Sequence, residues 1–337
     1  MDKRVIRKGL GEVGERQIIE LIKRHLEVMP VMPISFGDDV SAVTIEGERI
    51  AVLKTDMLVG KTDVPDGMNL RQAARKAIVM NISDFAAKGV QPEALLVSLG
   101  LPRATSPNDV EEIAEGLNSG AREYDSYVVG GDTSEASDLV IAVSLYGIAR
   151  KSRLMLRSCA KPGDVVAVTG FFGKPAAGLR ILSGECAVRQ DFCELLLDSV
   201  LNPHARLKEG LALAASATVS ASIDSSDGLA WSLHELGKMS NVGFLIDKVP
   251  VAEEAKQFAE CCRVDVFELA LYGGEEYELV VTVKPELWQE AEAAVLAVGG
   301  KLLPIGKVTR EKRVVLEKDG EKRPIEPRGW EHFTSKP

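Results

Sequence analysis

Seven aspartates in this chain stand beside apolar runs or small residues, where surface acids normally sit among Lys, Glu and Gln. They are Asp38 and Asp39 in Phe36-Gly37-Asp38-Asp39, Asp56 in Lys54-Thr55-Asp56, and Asp84 in Asn81-Ile82-Ser83-Asp84. Asp132 follows in Gly130-Gly131-Asp132-Thr133, then Asp224 and Asp227 in Asp224-Ser225-Ser226-Asp227-Gly228. Carboxylates gathered away from water are costly unless a cation compensates them. Hard oxygen ligands at strand ends suit Mg²⁺, which binds through a few carboxylates plus substrate phosphates. The set predicts an enzyme that handles phosphates with several metal ions.

Each acid alone has a plainer reading. Asp38-Asp39 could be a turn pair after Gly37, and Asp227-Gly228 could cap a helix. The metal reading rests on the recurrence of the same small neighbours. Asp84 falls on a helix, with Asn81 and Lys88 on its face at three- and four-residue spacing. The sequence leaves a solvated Asp84–Lys88 ion pair and a place near the metals equally open. Gly273-Gly274-Glu275-Glu276-Tyr277-Glu278-Leu279 is a glycine turn loaded with acids. It reads either as a tight entry to a strand or as a close approach to a ligand, with Glu275 or Glu276 facing a cationic group and Tyr277 in the core.

Other nucleotide signatures are weak or absent. Gly9-x-Gly11-x-x-Gly14 fits a dinucleotide pattern, but a basic stretch rather than a strand precedes it. No Walker-type loop occurs, and Gly170-Phe171-Phe172-Gly173-Lys174-Pro175 resembles one only superficially. His25, His204, His234 and His332 show no metal-ligand spacing.

The elements that must carry these residues alternate between helix and strand. The apolar periodicity predicts helices over 15–26, 69–88, 108–124, 176–182, 192–200, 206–214, 229–240 and 286–298. In the long helix over 69–88, Asn69 can cap the start and Gly89 the end. Strands are predicted over 41–44, 50–55, 94–99, 127–129, 139–147, 165–169, 219–223 and 278–283. The fold class is therefore α/β (α+β). At 337 residues two domains are expected. The basic stretch Arg150-Lys151-Ser152-Arg153 places their boundary between 1–150 and 151–337.

A net charge of -9 argues against nucleic acid as the partner. An acidic surface offers phosphate substrates no attraction, so local metal ions must supply positive charge. No apolar run is long enough to span a membrane, and the basic start leads into no signal-peptide core. Cys159, Cys186, Cys193, Cys261 and Cys262 form no Cys-x-x-Cys pair. They are read as small buried hydrophobes without a disulfide framework, in a cytoplasmic protein.

Taken in order, the aspartate motifs, Arg157-Ser158-Cys159-Ala160-Lys161-Pro162-Gly163-Asp164, the Gly-Gly-Glu-Glu-Tyr-Glu-Leu stretch and Gly329-Trp330-Glu331-His332-Phe333 resemble the thiamine-monophosphate kinases. That family lies within the aminoimidazole ribonucleotide synthetase superfamily. The resemblance covers nearly the whole chain. It implies a two-domain fold like that synthetase: an N-terminal domain that binds ATP and metal and pairs strands in a homodimer, and a C-terminal α/β domain that completes the site.

The implied reaction is direct in-line transfer of phosphate from ATP to thiamine monophosphate, assisted by several Mg²⁺ ions. Metal ligands are implied at Asp39, Thr55, Asp56, Asp84, Asp132, Asp224 and Asp227, with Asp39, Asp84, Asp132 and Asp227 catalytic. ATP contacts are implied at Gly131, Asp132, Arg157 and Ser226, and substrate contacts at Asp63, Glu275 and Trp330. An indole such as Trp330 can stack on a cationic ring.

Three positions depart from the family's usual residues: Lys54 stands for Ser, Asp63 for His and Glu276 for Asp. Asp63 beside a phosphate would repel it unless a metal or Lys61 compensates. Alternative readings are another ATP-dependent synthetase of the superfamily and a non-catalytic nucleotide-binding regulator.

Overall fold

The computed structural model describes residues 9–186 and 190–333. Its first half runs α1 (Glu15–Lys23), β1 (Ser41–Glu46), β2 (Arg49–Val59), α2 (Gly60–Asp63), α3 (Leu70–Lys88), β3 (Ala94–Leu101), α4 (Pro107–Glu123), β4 (Tyr127–Glu135) and β5 (Val140–Arg150). Its second half runs β6 (Val165–Val168), α5 (Lys174–Leu182), α6 (Gln190–Leu201), α7 (Leu207–Ser216), β7 (Val219–Asp224), α8 (Leu229–Ser240) and β8 (Gly243–Ile246). It continues with α9 (Glu253–Cys262), α10 (Val266–Tyr272), β9 (Leu279–Val283), α11 (Trp288–Ala297), β10 (Leu303–Thr309), β11 (Val314–Lys318) and β12 (Glu321–Pro324).

The first half forms a five-stranded sheet in the order β1-β2-β5-β3-β4, and the second a seven-stranded sheet in the order β12-β11-β8-β10-β6-β9-β7. Both are mixed; β3 with β4 and β8 with β11 are the parallel pairs. The fold is the expected α/β architecture with two sheets.

Helix α3 is the hinge of the architecture. Asn69 and Gln72 form a reciprocal capping box, which satisfies backbone donors that the first turn leaves over. Gly89 closes the helix in the left-handed conformation, at φ 66°, where a Cβ would be strained. Between these caps almost every side chain is buried, Lys76, Asp84 and Lys88 included. An α-helix buried all round needs partners on every side. Here they are β2, β5 and α4 in the first half and α7 and β7 in the second. One apolar core consequently runs from Ile50, Ile78 and Phe85 into Leu213, Val281 and Val295.

The sheet of the first half is covered on one side only. In β2 the side chains alternate: Ile50, Val52 and Leu58 are buried, while Leu53, Thr55 and Met57 are exposed. The open face also carries Val43, Ile45 and Leu96, and the edge strand β4 is exposed along its whole length.

Three expectations change. The cysteines are not all buried: Cys159 and Cys261 are exposed. Cys186 and Cys262 form a disulfide across 76 residues, against the expectation of none. The fold brings the chain just beyond α5 to the end of α9, a meeting that cysteine spacing cannot reveal. Helix α1 stops at Lys23 and buries none of its side chains, so its apolar stripe is not a core face. Helices over 253–262 and 266–272 and the strands β8, β10, β11 and β12 carry no expectation from the sequence.

Candidate functional site

The site is assembled where α3 crosses from one sheet to the other. Strand β2 delivers Lys54 and Asp56 to its covered face, because residues two apart on a strand point the same way. Helix α3 delivers Asn81, Asp84 and Lys88 on one face, as their spacing requires. The turn before β1 supplies Asp38 and Asp39. Strand β7 ends at Asp224, and the turn after it carries Ser226 and Asp227.

Asp39, Asp84 and Asp224 converge: all three are buried, and one carboxylate oxygen from each lies within 4.8 Å of the others. Three cations offset them. Lys88 is fully buried, with Nζ 2.8 Å from Asp38 Oδ1 and 2.6 Å from Asp39 Oδ2. Its Nζ also donates to the carbonyl of Ser222 at 2.7 Å. Arg157 pairs with Asp39 through Nε at 2.8 Å and through Nη2, and its Nη1 donates to the carbonyl of Gly37 at 3.0 Å. Its backbone N–H donates to Asp38 Oδ2 at 3.0 Å. Lys54 Nζ lies 3.1 Å from Asp56 Oδ1 and 2.9 Å from Asp84 Oδ2.

The electrostatics divide the acids. Burial alone would raise Asp39, but Arg157 and Lys88 outweigh it and hold its pKa below the usual carboxylate range. Burial raises Asp84 well above that range, with Asp224 and Asp56 adding to the rise against Lys54. Asp224 is pushed up to about 6 by burial and by Asp39, against a hydrogen bond from Ser83. Asp227 is pushed up to about 7 by burial and by Asp224.

Acids that resist ionisation when crowded are poised to accept a cation. Asp39 Oδ2 is buried, with the Lys88 ammonium 2.6 Å away. A buried convergence of three hard carboxylate donors fits Mg²⁺.

The solvated Asp84–Lys88 pair is not formed. Asp84 pairs with Lys54, Lys88 pairs with Asp38 and Asp39, and Asn81 Oδ1 accepts the backbone N–H of Asp56 at 2.9 Å.

Two further predicted ligands lie elsewhere. Thr55 points to the open face of the sheet, its hydroxyl donating to the carbonyl of Val143 at 3.1 Å. Asp132 shares that open face, opposite Ser98 of β3. Gly131 and Asp132 are three strands from β2, on the order of 14 Å at the usual strand spacing.

The second group of predicted residues surrounds the Gly-Gly-Glu turn. Glu275 donates its backbone N–H to the carbonyl of Ser226 at 2.7 Å, which docks the turn on the Asp227 loop. Its carboxylate pairs with the buried ammonium of Lys76, leaving Oε2 buried without a hydrogen-bond partner. Lys76 also donates to the carbonyl of Asp63 at 2.9 Å.

Asp63 does not pair with Lys61; its Oδ2 accepts the backbone N–H of Val59 at 2.7 Å and Oδ1 lies 4.0 Å from His332 Nε2. Trp330 donates its backbone N–H to the carbonyl of Asp227 at 3.0 Å and stands edge-on to His332. Tyr277 is core, as one reading of the turn had it. Glu276 is buried against the N–H of Gly173, and burial raises its pKa well above the usual range. A cavity of about 330 Å³ adjoins this turn, lined by Glu275, Lys174, His204, Arg206 and Lys301. Its lining contains none of the converging aspartates.

Sequence reasoning undervalued the cations. Lys54 stood out only as a departure, Lys88 only as a partner for Asp84, and Lys76 not at all. The strand spacing of Lys54 and Asp56 was a usable signal; the pairing of Lys88 with Asp38 and Asp39 was not.

The family described as "AIR synthase related protein, N-terminal domain" matches residues 37–149, and its C-terminal domain matches residues 161–319. The thiamine-monophosphate kinase of Pyrococcus horikoshii is 38% identical over 302 residues, covering 89% of this chain and 91% of that protein. That of Nitrosopumilus maritimus is 33% identical over 324 residues, covering 96% of this chain and 100% of that protein. The solved structure of AaThiL complexed with AMPPCP and TMP superposes with a TM-score of 0.85 at 32% identity, covering 97% of this chain and 100% of that one. These likenesses place the chain in the thiamine-monophosphate kinase family of AIR synthase related proteins.

Proposed function

We propose that this protein transfers the terminal phosphoryl group of ATP to thiamine monophosphate, giving ADP and thiamine diphosphate. The observation that carries the reading is the buried convergence of Asp39, Asp84 and Asp224 at the junction of the two halves, in a chain of this family. The AaThiL complex with AMPPCP and TMP supports both substrates.

The acceptor is a phosphate oxygen, ionised at neutral pH, so no strong general base is needed. The remaining work is positioning and charge neutralisation. Asp39, Asp84, Asp224 and Asp227 would hold Mg²⁺, which when bound withdraws charge from the phosphate oxygens of donor and acceptor. Lys88 and Arg157 keep Asp39 ionised and its orientation fixed. The Ser226–Asp227 loop and the Glu275 turn are bonded to each other, so the metal-holding and substrate-holding groups move as one piece.

Trp330 would offer its ring to the thiamine, and the orphaned oxygen of Glu275 would face the cationic end of that substrate. Asp63, turned back onto Val59, would stay off the acceptor phosphate. In-line transfer without a phosphoenzyme is the simplest course for two substrates held together.

The open sheet face, with Val43, Leu53, Met57, Leu96 and Tyr127 exposed, supports a homodimer built on it. Isolated monomers rarely leave such a contiguous apolar patch to water. Thr55, Gly131, Asp132 and their neighbours would then act at the covered interface. Among the described residues no helix is long and apolar enough to cross a membrane, consistent with work in the cytoplasm.

The test is ADP release from Mg-ATP with and without thiamine monophosphate, with the product identified by mass. Thiamine-dependent ADP and a diphosphate product are expected. ADP formed only with another acceptor would assign the site to a sister synthetase, and none at all to a nucleotide-binding regulator.

A further inference from the structure

Lys54 is held inside the acidic cluster rather than at its rim. Strand β2 turns it to the same covered face as Asp56, and only 18% of its side chain is exposed. Its ammonium lies 3.1 Å from Asp56 Oδ1 and 2.9 Å from Asp84 Oδ2. Asp84 therefore belongs to two sets at once: the Lys54 pairing, and the triad with Asp39 and Asp224.

The charges can be counted. Asp38, Asp39, Asp56, Asp84 and Asp224 face Lys54, Lys88 and Arg157. Lys88 and Arg157 both contact Asp38 or Asp39. That leaves Lys54 as the cation for Asp56 and Asp84. Two carboxylates held on one ammonium form a bay of the donor type that a divalent ion also takes, once the oxygens draw in to its shorter bond length.

We propose that Lys54 is a built-in cation filling the bay between Asp56 and Asp84, which closes that bay to metal and confines divalent ions to the Asp39, Asp84 and Asp224 side. Lys54 is thus a positioning residue that sets metal stoichiometry. It holds Asp84 at a fixed place without drawing on the solution's metal supply. This rests on the metal-assisted reading of the site.

The test counts Mn²⁺, an EPR-visible probe, bound per full-length chain without nucleotide. Lys54→Ser, which opens the bay, is expected to bind one more Mn²⁺ than wild type. Lys54→Arg, which keeps the charge, is expected to bind the wild-type number. Lys54→Gln, which retains the stem, is also expected to bind one more Mn²⁺ than wild type and replaces the serine variant if that one fails to fold by circular dichroism. An unchanged count in the neutral variants, or a gain in the arginine variant, overturns the role of Lys54. Wild-type protein that binds no Mn²⁺ would instead remove the metal reading beneath it.

Discussion

Lys88→Met removes a buried charge while nearly conserving volume, and its cost can be worked from the contacts. The ammonium lies 2.8 Å from Asp38 Oδ1 and 2.6 Å from Asp39 Oδ2 with no exposure to water. At an effective dielectric of about 20, each contact is worth about 6 kcal/mol before desolvation. Returning the lysine's own desolvation penalty cancels much of that. The measured cost of breaking one partner out of a buried pair is about 3–5 kcal/mol. The carbonyl of Ser222 also loses its donor.

For 337 residues, an unfolding entropy of about 2.1 cal/mol/K per residue converts that loss to about 4–7 °C in Tm. The assay is thermal unfolding of both proteins at pH 7.5 without metal, then with Mg²⁺. Added Mg²⁺ should raise the variant's Tm more than the wild type's, because Asp39 has lost a neutralising partner. A drop under about 1 °C without metal would show that Asp38 and Asp39 are solvated or protonated. The charge accounting of the site would then be refuted.

Asp224 and Asp227, with pKa values raised to about 6 and about 7 by burial, hold protons in the folded state that the unfolded chain has released. Their contribution to metal-free stability therefore declines as pH rises from about 4 to 7. Mg²⁺ needs them ionised, so the Tm gain from Mg²⁺ should be larger at pH 8 than at pH 5.5; equal gains would count against these two as ligands. Asp227→Asn should lose at least about 10²-fold in turnover with an unchanged circular dichroism spectrum, and near-normal turnover would remove Asp227 from the site. Gly210→Ala should destabilise by about 1–3 kcal/mol, because its Cβ would stand 2.0 Å from the carbonyl of Ala86 where α7 crosses α3; urea titration measures this, and a neutral result would mean the crossing is loose. Cys262→Ser should cost about 4 kcal/mol on the chain-entropy model for a 76-residue separation, and a reductant should leave the variant's Tm unmoved while lowering the wild type's.

Much of the fold and part of the site could be read along the chain, because their causes are local. Asn69 and Gly89 bound α3 through bonds reaching only a few residues. The two-residue period of β2 and the three- and four-residue spacing of Asn81, Asp84 and Lys88 set which side chains share a face, and the ordered aspartate motifs marked the family. What the local pattern lacked was the partner across the fold.

Tertiary packing decided that Lys88 pairs with Asp38 and Asp39 rather than with Asp84, one helical turn away. Burial of the helix around Asp84 and Lys88 removed the solvent that would have made the local pair adequate. Tertiary packing also put Thr55 and Asp132 on the uncovered side of a sheet whose covered side carries Asp56. A strand's alternation says which residues share a face but not which face a helix will cover. Charge pairing and disulfide bonding depend on distance in space, and distance in sequence constrains that only over a turn or a strand. Asp39, Asp84 and Asp224 were therefore legible along the chain as members of a larger set, while their meeting, and the pairing of Lys54 and Lys88 with their neighbours, became visible only once the chain was folded.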